Sequence, residues 1–133
     1  MFHHFRIPDS KGNLVFMGDF NSYAYEDPIQ HFVTNGYASV IDYDDDVPPY
    51  SYSFSGQFGT LDHAFVPEEM KPNVAGAVWH VNADYPDLLD YNTDYGRNEA
   101  IFDGTTPIRF SDHDVIVVAM NLTGTEDLTC DVM

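Results

Sequence analysis

Hydrophobic residues fall into short runs and alternations that predict a β-rich domain with few helices. An apolar run from Leu14 to Met17 predicts a buried strand over residues 13–20, which ends at Gly18-Asp19. Another unbroken apolar run, over residues 115–120, predicts a short central strand covered on both faces. A third strand is predicted over residues 74–81.

Residues 27–35 predict a short helix after the first strand. Asp27 is a favourable N-cap, Pro28 suits the first helical position, and Asn35-Gly36 ends the helix. The apolar face of this helix would consist of Ile29, Phe32 and Val33.

Residues 50–66 predict a β-hairpin. Three aromatic residues alternate with three serines over residues 50–55, and this period of two indicates a half-buried strand. Residues 56–59 would turn the chain, and residues 60–66 would return as the partner strand. Alternation in that second strand would place Asp62 and His63 on opposite faces.

The polar segments between these elements predict loops. Residues 42–49 hold four aspartates and two prolines, and residues 82–106 are rich in Asp, Asn, Gly and Tyr, which predicts a long structured loop. The chain has the length of one compact domain. We place this domain over residues 13–122, after a lead-in over residues 1–12 and before a tail or linker over residues 123–133.

The charge of the chain restricts its possible partners. Among 133 residues, 22 are acidic and 5 are Lys or Arg, so the net charge is −17. This charge disfavours unaided binding to a polyanion: either the substrate is not a nucleic acid, or divalent cations and basic residues from elsewhere supply the positive charge. A strongly acidic surface also suits a protein in salty water, where charges are screened.

Signals for disulfides, membranes and export are few. The single cysteine, Cys130, has no partner for an internal disulfide. No apolar run approaches the ~20 residues that a membrane helix needs. The first residues also lack the layout of a signal peptide.

The end of the first strand is the first candidate site. Asp19 and Asn21 are two residues apart, and alternation along a strand would point both side chains into one site. A carboxylate beside an amide suits a site that holds a cation and also donates a hydrogen bond to a phosphate oxygen. The same residues can instead form a polar turn that closes the strand, and from this segment alone the two interpretations are equally favoured.

Three further segments carry candidate residues. In Ser111-Asp112-His113-Asp114 a histidine flanked by aspartates can be an oriented general base, or a solvent-facing residue in a capped turn. In Leu61-Asp62-His63 an aspartate beside apolar residues needs a partner, for which a histidine is suited. The segment over residues 79–84, with His80 and Asn82, can line a pocket or close a loop, and the structural role is favoured.

Taken in order, these segments resemble the endonuclease/exonuclease/phosphatase family, the superfamily of pancreatic-type deoxyribonuclease, and most of all its bacterial extracellular nucleases. The matching segments are MGDFNSYAYEDP over residues 17–28, SYSFSGQFGTLDHA over 51–64, WHVNAD over 79–84, LDYN over 89–92 and RFSDHD over 109–114. The resemblance implies an α/β fold, half of a four-layer sandwich with mostly antiparallel or mixed sheets and few short helices. It also implies an extracellular or periplasmic location.

The resemblance implies a role for each matching residue. Asp19 would position the nucleophilic water or stabilise the metal-bound phosphate, and Asn21 would bind a phosphate oxygen. Asp112 would be a metal ligand together with Asp19, while His113 would contact the scissile phosphate as base or electrostatic stabiliser. Asp62 would orient His113. Weaker substrate contacts are expected from His63, His80, Asn82 and Arg109.

The reaction implied is attack of water on a phosphodiester, assisted by Mg²⁺ or Mn²⁺, with Ca²⁺ as a further possibility. The nucleic acid would be bound through this divalent cation. The family fold needs roughly twice this length, so we expect only its C-terminal half here. An N-terminal half, or a second copy of the chain in a homodimer, would cover an apolar sheet face. The alternatives are another phosphoesterase of the same fold and a non-catalytic acidic interaction module.

Overall fold

The structure is a computed structural model that describes residues 5–6, 14–43, 49–86, 88–89, 92, 94, 99–101, 104–105 and 107–121. It contains eight strands, one α-helix and one 3₁₀ helix within these ranges. Strands β1 (Phe5–Arg6), β2 (Leu14–Asp19), β3 (Tyr37–Ser39) and β6 (Asp62–Pro67) form one sheet in the order β1-β2-β6-β3. Strands β4 (Tyr52–Phe54) and β5 (Gln57–Gly59) form a hairpin, and β7 (Val74–Trp79) pairs with β8 (Val115–Met120). Every strand pair in this part of the chain is antiparallel.

The β7–β8 pair packs against one face of the four-stranded sheet. The core between the two sheets consists of Val40, Ala64, Val66 and Val74, with Ile116 and Val118 among the half-buried residues that contact it. Ala64 and Val66 of β6 point to this side, as the alternation in the sequence predicted.

Helix α1 (Asp27–Thr34) lies on the opposite face of the four-stranded sheet. Phe32 of this helix stacks on Phe65 with ring centroids 5.0 Å apart, and it meets Phe16 and Phe20 edge to face at 5.4 Å. Such contacts between aromatic rings add to the stability from buried area. The layers are therefore helix, sheet and sheet, so the predicted mostly antiparallel α/β architecture with few short helices is confirmed.

The start of α1 differs in detail from the prediction, whereas its end directly before Asn35-Gly36 is as predicted. The N-cap residue is Glu26 rather than Asp27, which lies in the first turn together with Pro28. The helix ends at Thr34, one residue before Asn35. Gly36 follows with a φ of +86°, the left-handed conformation that favours glycine after a helix.

The predicted hairpin over residues 50–66 is wrong in its pairing. Strand β4 pairs with β5 rather than with residues 60–66, and the turn consists of Ser55 and Gly56, both with positive φ. Such a two-residue turn matches the twist of the strands that it joins. Strand β6 is therefore not part of the hairpin and pairs with β2 and β3 instead.

Strand β8 has the bounds that the sequence predicted, but it is not covered on both faces. Its inner residues contact the core, whereas Val115 is 38% exposed beside Trp79 of β7, which is 46% exposed. The short strand β3 and the 3₁₀ helix over Glu68–Asn73 were not predicted.

Several sequence predictions lie largely or wholly outside the described residues. These are most of the loop over residues 42–49, parts of the loop over residues 82–106, the tail over residues 123–133, and Cys130. None of the helices that the structure describes is long and apolar enough to cross a membrane.

Candidate active site

Asp62 and His113 form a hydrogen-bonded pair at one end of the interface between the two sheets. Asp62 is the first residue of β6, and His113 lies two residues before β8. Nδ1 of His113 lies 2.7 Å from Oδ2 of Asp62. Because a carboxylate only accepts, Nδ1–H is the donor. The side chains are 21% and 14% exposed, so the pair is partly shielded but accessible.

The surroundings of His113 favour its protonated form. The hydrogen bond to Asp62 raises the pKa of His113, and the charges of Asp62, Asp112 and Asp19 act in the same direction. Burial opposes these effects without reversing them. His113 therefore holds its second proton to a higher pH than a free histidine does.

Asp19 joins the pair through the register of the central strands. Asp19 of β2 lies directly opposite Asp62 of β6, so the two side chains share one face of the sheet. One ligand atom from each of Asp19, Asp62 and His113 lies within 4.8 Å of the others. Asp19 itself is exposed, which leaves this cluster open to solvent on one side.

Asn21 reaches the site by a turn rather than by strand alternation. Its φ is +51°, so the extended strand has already ended. Its backbone N–H donates to Oδ1 of Asp19 at 2.8 Å, and its side-chain Nδ2 donates to Oδ2 at 3.2 Å. The segment is thus a polar turn that also brings an amide next to the cluster.

The donor set fits a hard divalent cation. Asp19 and Asp62 offer carboxylate oxygens, the ligands that Mg²⁺, Mn²⁺ and Ca²⁺ prefer in proteins. His113 is less suited as a ligand, because its Nδ1 is occupied by Asp62 and its raised pKa favours an imidazolium without a free lone pair.

Asp112 lies near this cluster without belonging to it. It is half-buried, and its negative charge contributes to the raised pKa of His113. Within the described part of the chain, the group with metal-ligand spacing consists of Asp19, Asp62 and His113. The expected role of Asp112 as a metal ligand therefore stays a prediction.

Ser51 is a site residue that the sequence did not reveal. It is fully buried, and its hydroxyl donates to Oδ2 of Asp62 at 2.7 Å while accepting the backbone N–H groups of Leu61 and Asp62. The available signal was the alternation of serines with aromatic residues, but the pattern does not say which side is buried. The structure buries Ser51 and Ser53, and leaves Phe54 exposed.

His80 and Asn82 lie on the other side of His113 and are held by Asp114. Nδ1 of His80 lies 2.8 Å from Oδ2 of Asp114, and the His80 ring stacks on Tyr50 at 4.1 Å. Asn82 is fully buried, and its Nδ2 donates to the backbone carbonyl of His113 at 2.7 Å. Asp114 itself was noticed in the sequence only as a neighbour of His113.

The structure places His63 away from the cluster. This ring is fully buried, with Nε2 donating to the Ser22 carbonyl at 2.7 Å and Nδ1 lying 2.6 Å from the Tyr43 hydroxyl. Burial raises the pKa of Tyr43 to about 12, so the phenol is protonated and donates. Burial also lowers the pKa of His63. In this position His63 is shielded from any substrate.

Arg109 is buried as well. Its guanidinium donates through Nη1 to the backbone carbonyl of Tyr85, and its φ is +48°. The guanidinium therefore supports the loop after β7. The expected substrate contacts of His63 and Arg109 would require both side chains to leave these buried positions.

Comparison with known proteins gives a family but no individual relative. No curated protein and no solved structure matches the chain. A family model described as endonuclease/exonuclease/phosphatase matches residues 4–113, which include Asp19, Asp62 and His113. Members of this family are in general metal-dependent phosphoesterases. Because the match spans more than half of the sequence, the chain belongs to the endonuclease/exonuclease/phosphatase family.

Proposed function

We propose that this chain carries part of the active site of a metal-dependent phosphodiesterase that hydrolyses DNA. The observation that supports it is the Asp62–His113 pair, 2.7 Å apart, with Asp19 beside it and one ligand atom of each residue within 4.8 Å of the others. An oriented histidine next to paired carboxylates combines proton chemistry with a site for a cation.

In the proposed reaction the oxygen of a water molecule bonds to phosphorus, the ester P–O bond breaks, the water loses a proton, and the departing ester oxygen takes up a proton to leave as a hydroxyl group. A divalent cation, when bound, supplies positive charge for the phosphate. Asp19 and Asp62 would hold this cation, with Asp112 as a further candidate, and Asn21 would donate to a phosphate oxygen. The raised pKa of His113 favours its role as imidazolium, which stabilises the negative charge that develops on the phosphate.

The choice of DNA rests on the resemblance of the motifs to extracellular nucleases, with RNA as a further substrate to test. The net charge of −17 is consistent with this choice if a divalent cation lies between protein and substrate and basic residues from elsewhere add positive charge. We propose Mg²⁺ in this role, and Mn²⁺ as its replacement. An extracellular or periplasmic location is part of the same proposal.

We further propose that an N-terminal half of the domain covers the outer face of the β7–β8 pair. The inward residues of this pair contact the core, and the register leaves a run of apolar side chains on the other face. These residues are Ala75, Ala77, Trp79, Val115, Val117 and Ala119. Trp79 and Val115 on this face are exposed and the other four residues are half-buried, and a solvent-accessible apolar face of this kind is suited to a covering partner. The same half would add further metal ligands to the site.

The test is cleavage of supercoiled plasmid DNA with the chain alone, and with a separately expressed N-terminal half of a family nuclease added. We expect cleavage in Mg²⁺ that disappears in EDTA. Asp62→Asn and His113→Gln should each reduce the rate by roughly 10²-fold or more, because His113→Gln removes the imidazolium and Asp62→Asn removes the carboxylate that orients it. Glu69→Gln is the matched control, because it removes one exposed negative charge away from the site.

Other outcomes favour the alternatives. Hydrolysis of small phosphate monoesters in preference to plasmid DNA would favour another phosphoesterase of the same fold. No Mg²⁺-dependent hydrolysis of either substrate, even with the added half, would favour the acidic interaction module. Size-exclusion chromatography with light scattering tests the covering partner, since a homodimer in solution would replace the N-terminal half in that role.

A further inference from the structure

Asp114 carries a buried carboxylate that is saturated with hydrogen-bond donors. Its side chain has no exposed surface. Oδ1 accepts the backbone N–H groups of three successive residues, Val81 at 3.0 Å, Asn82 at 2.8 Å and Ala83 at 2.9 Å. Oδ2 faces Nδ1 of His80 at 2.8 Å. Four donors offset the cost of burying this charge, and they fix the turn over residues 81–83.

The turn that Asp114 holds reaches His113 through Asn82. The side chain of Asn82 is fully buried and donates through Nδ2 to the His113 carbonyl at 2.7 Å. Among the described residues, Oδ1 of Asn82 has no hydrogen-bond partner. Burying an amide with an unsatisfied oxygen is unfavourable. Within the described part of the chain, the hydrogen bond that the Asn82 side chain makes is therefore the one from Nδ2 to the His113 carbonyl.

The main chain at His113 is held from both sides. Asn82 holds the carbonyl of His113, and the next N–H, that of Asp114, donates to the Ser51 carbonyl at 2.6 Å. The Ser51 hydroxyl in turn donates to Oδ2 of Asp62, the atom that receives Nδ1–H of His113. Hydrogen bonds through Ser51 therefore connect the backbone next to His113 with Asp62, the residue that binds the His113 ring.

We propose that Asp114 and Asn82 are positioning residues that fix the His113 imidazole against Asp62. Asp114 fixes the turn over residues 81–83 through its hydrogen bonds to the backbone, and Asn82 of this turn fixes the His113 backbone through its hydrogen bond to the carbonyl. The inference rests on the proposed function, since the work of His113 in that proposal is phosphodiester hydrolysis. Misplacement of a reacting group by about 1 Å can reduce a rate by ~10²-fold, so a backbone clamp of this kind affects turnover more than substrate binding.

Two variants test the proposal, because Asp114→Ala removes four bonds and can prevent folding. Asn82→Ala deletes the bond to the His113 carbonyl but leaves the backbone N–H of residue 82 on Asp114. Asp114→Asn keeps the shape and removes the charge. Asn73→Ala is the matched control, because Asn73 is exposed at the end of the 3₁₀ helix.

The first measurement needs no activity. A ¹H–¹⁵N spectrum of the imidazoles, in EDTA, should show the Nδ1 proton of His113 protected from exchange with water in the wild type and in Asn73→Ala. The absence of this signal in His113→Gln assigns it. We expect Asn82→Ala and Asp114→Asn to accelerate its exchange at least 10-fold, while backbone signals of α1 and β6 stay in place.

The second measurement is steady-state cleavage of plasmid DNA in Mg²⁺, with the separately expressed N-terminal half of a family nuclease added. We expect kcat to fall by about 10-fold to 10²-fold in both variants, with KM within about 2-fold of wild type. Unchanged exchange of the His113 proton in both folded variants would overturn the positioning role, whether or not DNA is cleaved. Accelerated exchange in a chain that cleaves no DNA even with the N-terminal half added would retain the positioning role and reject the proposed function.

Discussion

At the scale of residues, His63 and His113 carry the same imidazole in opposite surroundings. His63 lies among aromatic rings on the helix side of the sheet, and desolvation lowers its pKa. His113 contacts Asp62, and that hydrogen bond raises its pKa. The first ring is thus suited to a neutral structural role and the second to a charged one, although both belong to the same kind of Asp-His sequence.

The stability that His63 contributes should depend on pH. Its folded pKa lies below the ordinary value of 6.5, so its contribution is fully present above pH 6.5 and is lost as pH falls through the folded pKa. His63→Phe leaves the Tyr43 hydroxyl and the Ser22 carbonyl without this partner, and should cost about 1–3 kcal/mol at pH 8. Urea unfolding should show this difference between wild type and variant shrinking at pH 5.5.

His31→Gln is the control for this measurement, because His31 lies on the exposed side of α1. The free energy of unfolding of His31→Gln should differ little from that of the wild type. A constant cost of His63→Phe across this range would mean that the buried ring does not titrate with a lowered pKa.

At the scale of elements, close approach between β7 and the segment after β3 holds the two sheets together. A Cβ added at Gly76 would lie 2.4 Å from Cγ1 of Val40, a buried core residue, and 3.4 Å from Cδ1 of Ile41. Glycine at this position therefore allows the β7–β8 pair to approach the four-stranded sheet. Since the candidate site lies at the end of this interface, the spacing of the sheets also affects the distance from His113 to Asp62.

Gly76→Ala should destabilise the protein by about 1–3 kcal/mol, because the added methyl overpacks a core that has no room for it. Gly59→Ala is the matched comparison. Its Cβ would meet the Tyr23 ring at 2.4 Å, but Tyr23 is 46% exposed and can turn away into solvent. Thermal unfolding of the two variants should show the larger loss for Gly76→Ala, and equal losses would argue against tight packing at the sheet interface.

At the scale of the whole molecule, the net charge of −17 opposes compaction. Screening shortens the range of this repulsion, from ~30 Å at 0.01 M salt to ~8 Å at 0.15 M. The candidate site adds to the effect locally, because Asp19 and Asp62 lie directly opposite each other in the sheet. A cation bound between them would relieve this repulsion.

Salt should therefore stabilise the chain, and Mg²⁺ should stabilise it further. Raising NaCl from 10 mM to 150 mM should increase stability by about 1 kcal/mol, or roughly 4 °C in Tm. Mg²⁺ at matched ionic strength should raise Tm beyond this value, since the proposed site would bind it in the folded state and not in the unfolded state. Asp19→Asn should abolish the additional increase in Tm that Mg²⁺ causes and keep the increase that NaCl causes. Differential scanning calorimetry measures both.

If Mg²⁺ raised the Tm of wild type and Asp19→Asn equally, the cation would bind elsewhere on the acidic surface. Glu69→Gln removes an exposed charge away from the site, so Mg²⁺ should raise the Tm of this variant as much as that of the wild type. The comparison separates a specific site from general screening of the charge.

The sequence by itself determined much of the architecture and the order of the site motifs. Apolar runs predicted β2 and β8, and apolar spacing with Pro28 and Gly36 predicted α1, because these signals depend on neighbours close in the chain. The strand predicted over residues 74–81 corresponds to β7. The motifs also led to the family that the chain belongs to. The local pattern predicted the wrong pairing for the hairpin over residues 50–66. Strand β6 pairs with β2 and β3, and this pairing depends on residues that are distant in sequence.

Only the tertiary structure decided which side chains meet. The strand register brought Asp19 opposite Asp62, and the packing of the two sheets brought His113 to Asp62 across 51 positions of sequence. The same packing buried Ser51 beneath that pair. Long-range contacts of this kind follow from how sheets pair and pack, which a local pattern of residues does not specify.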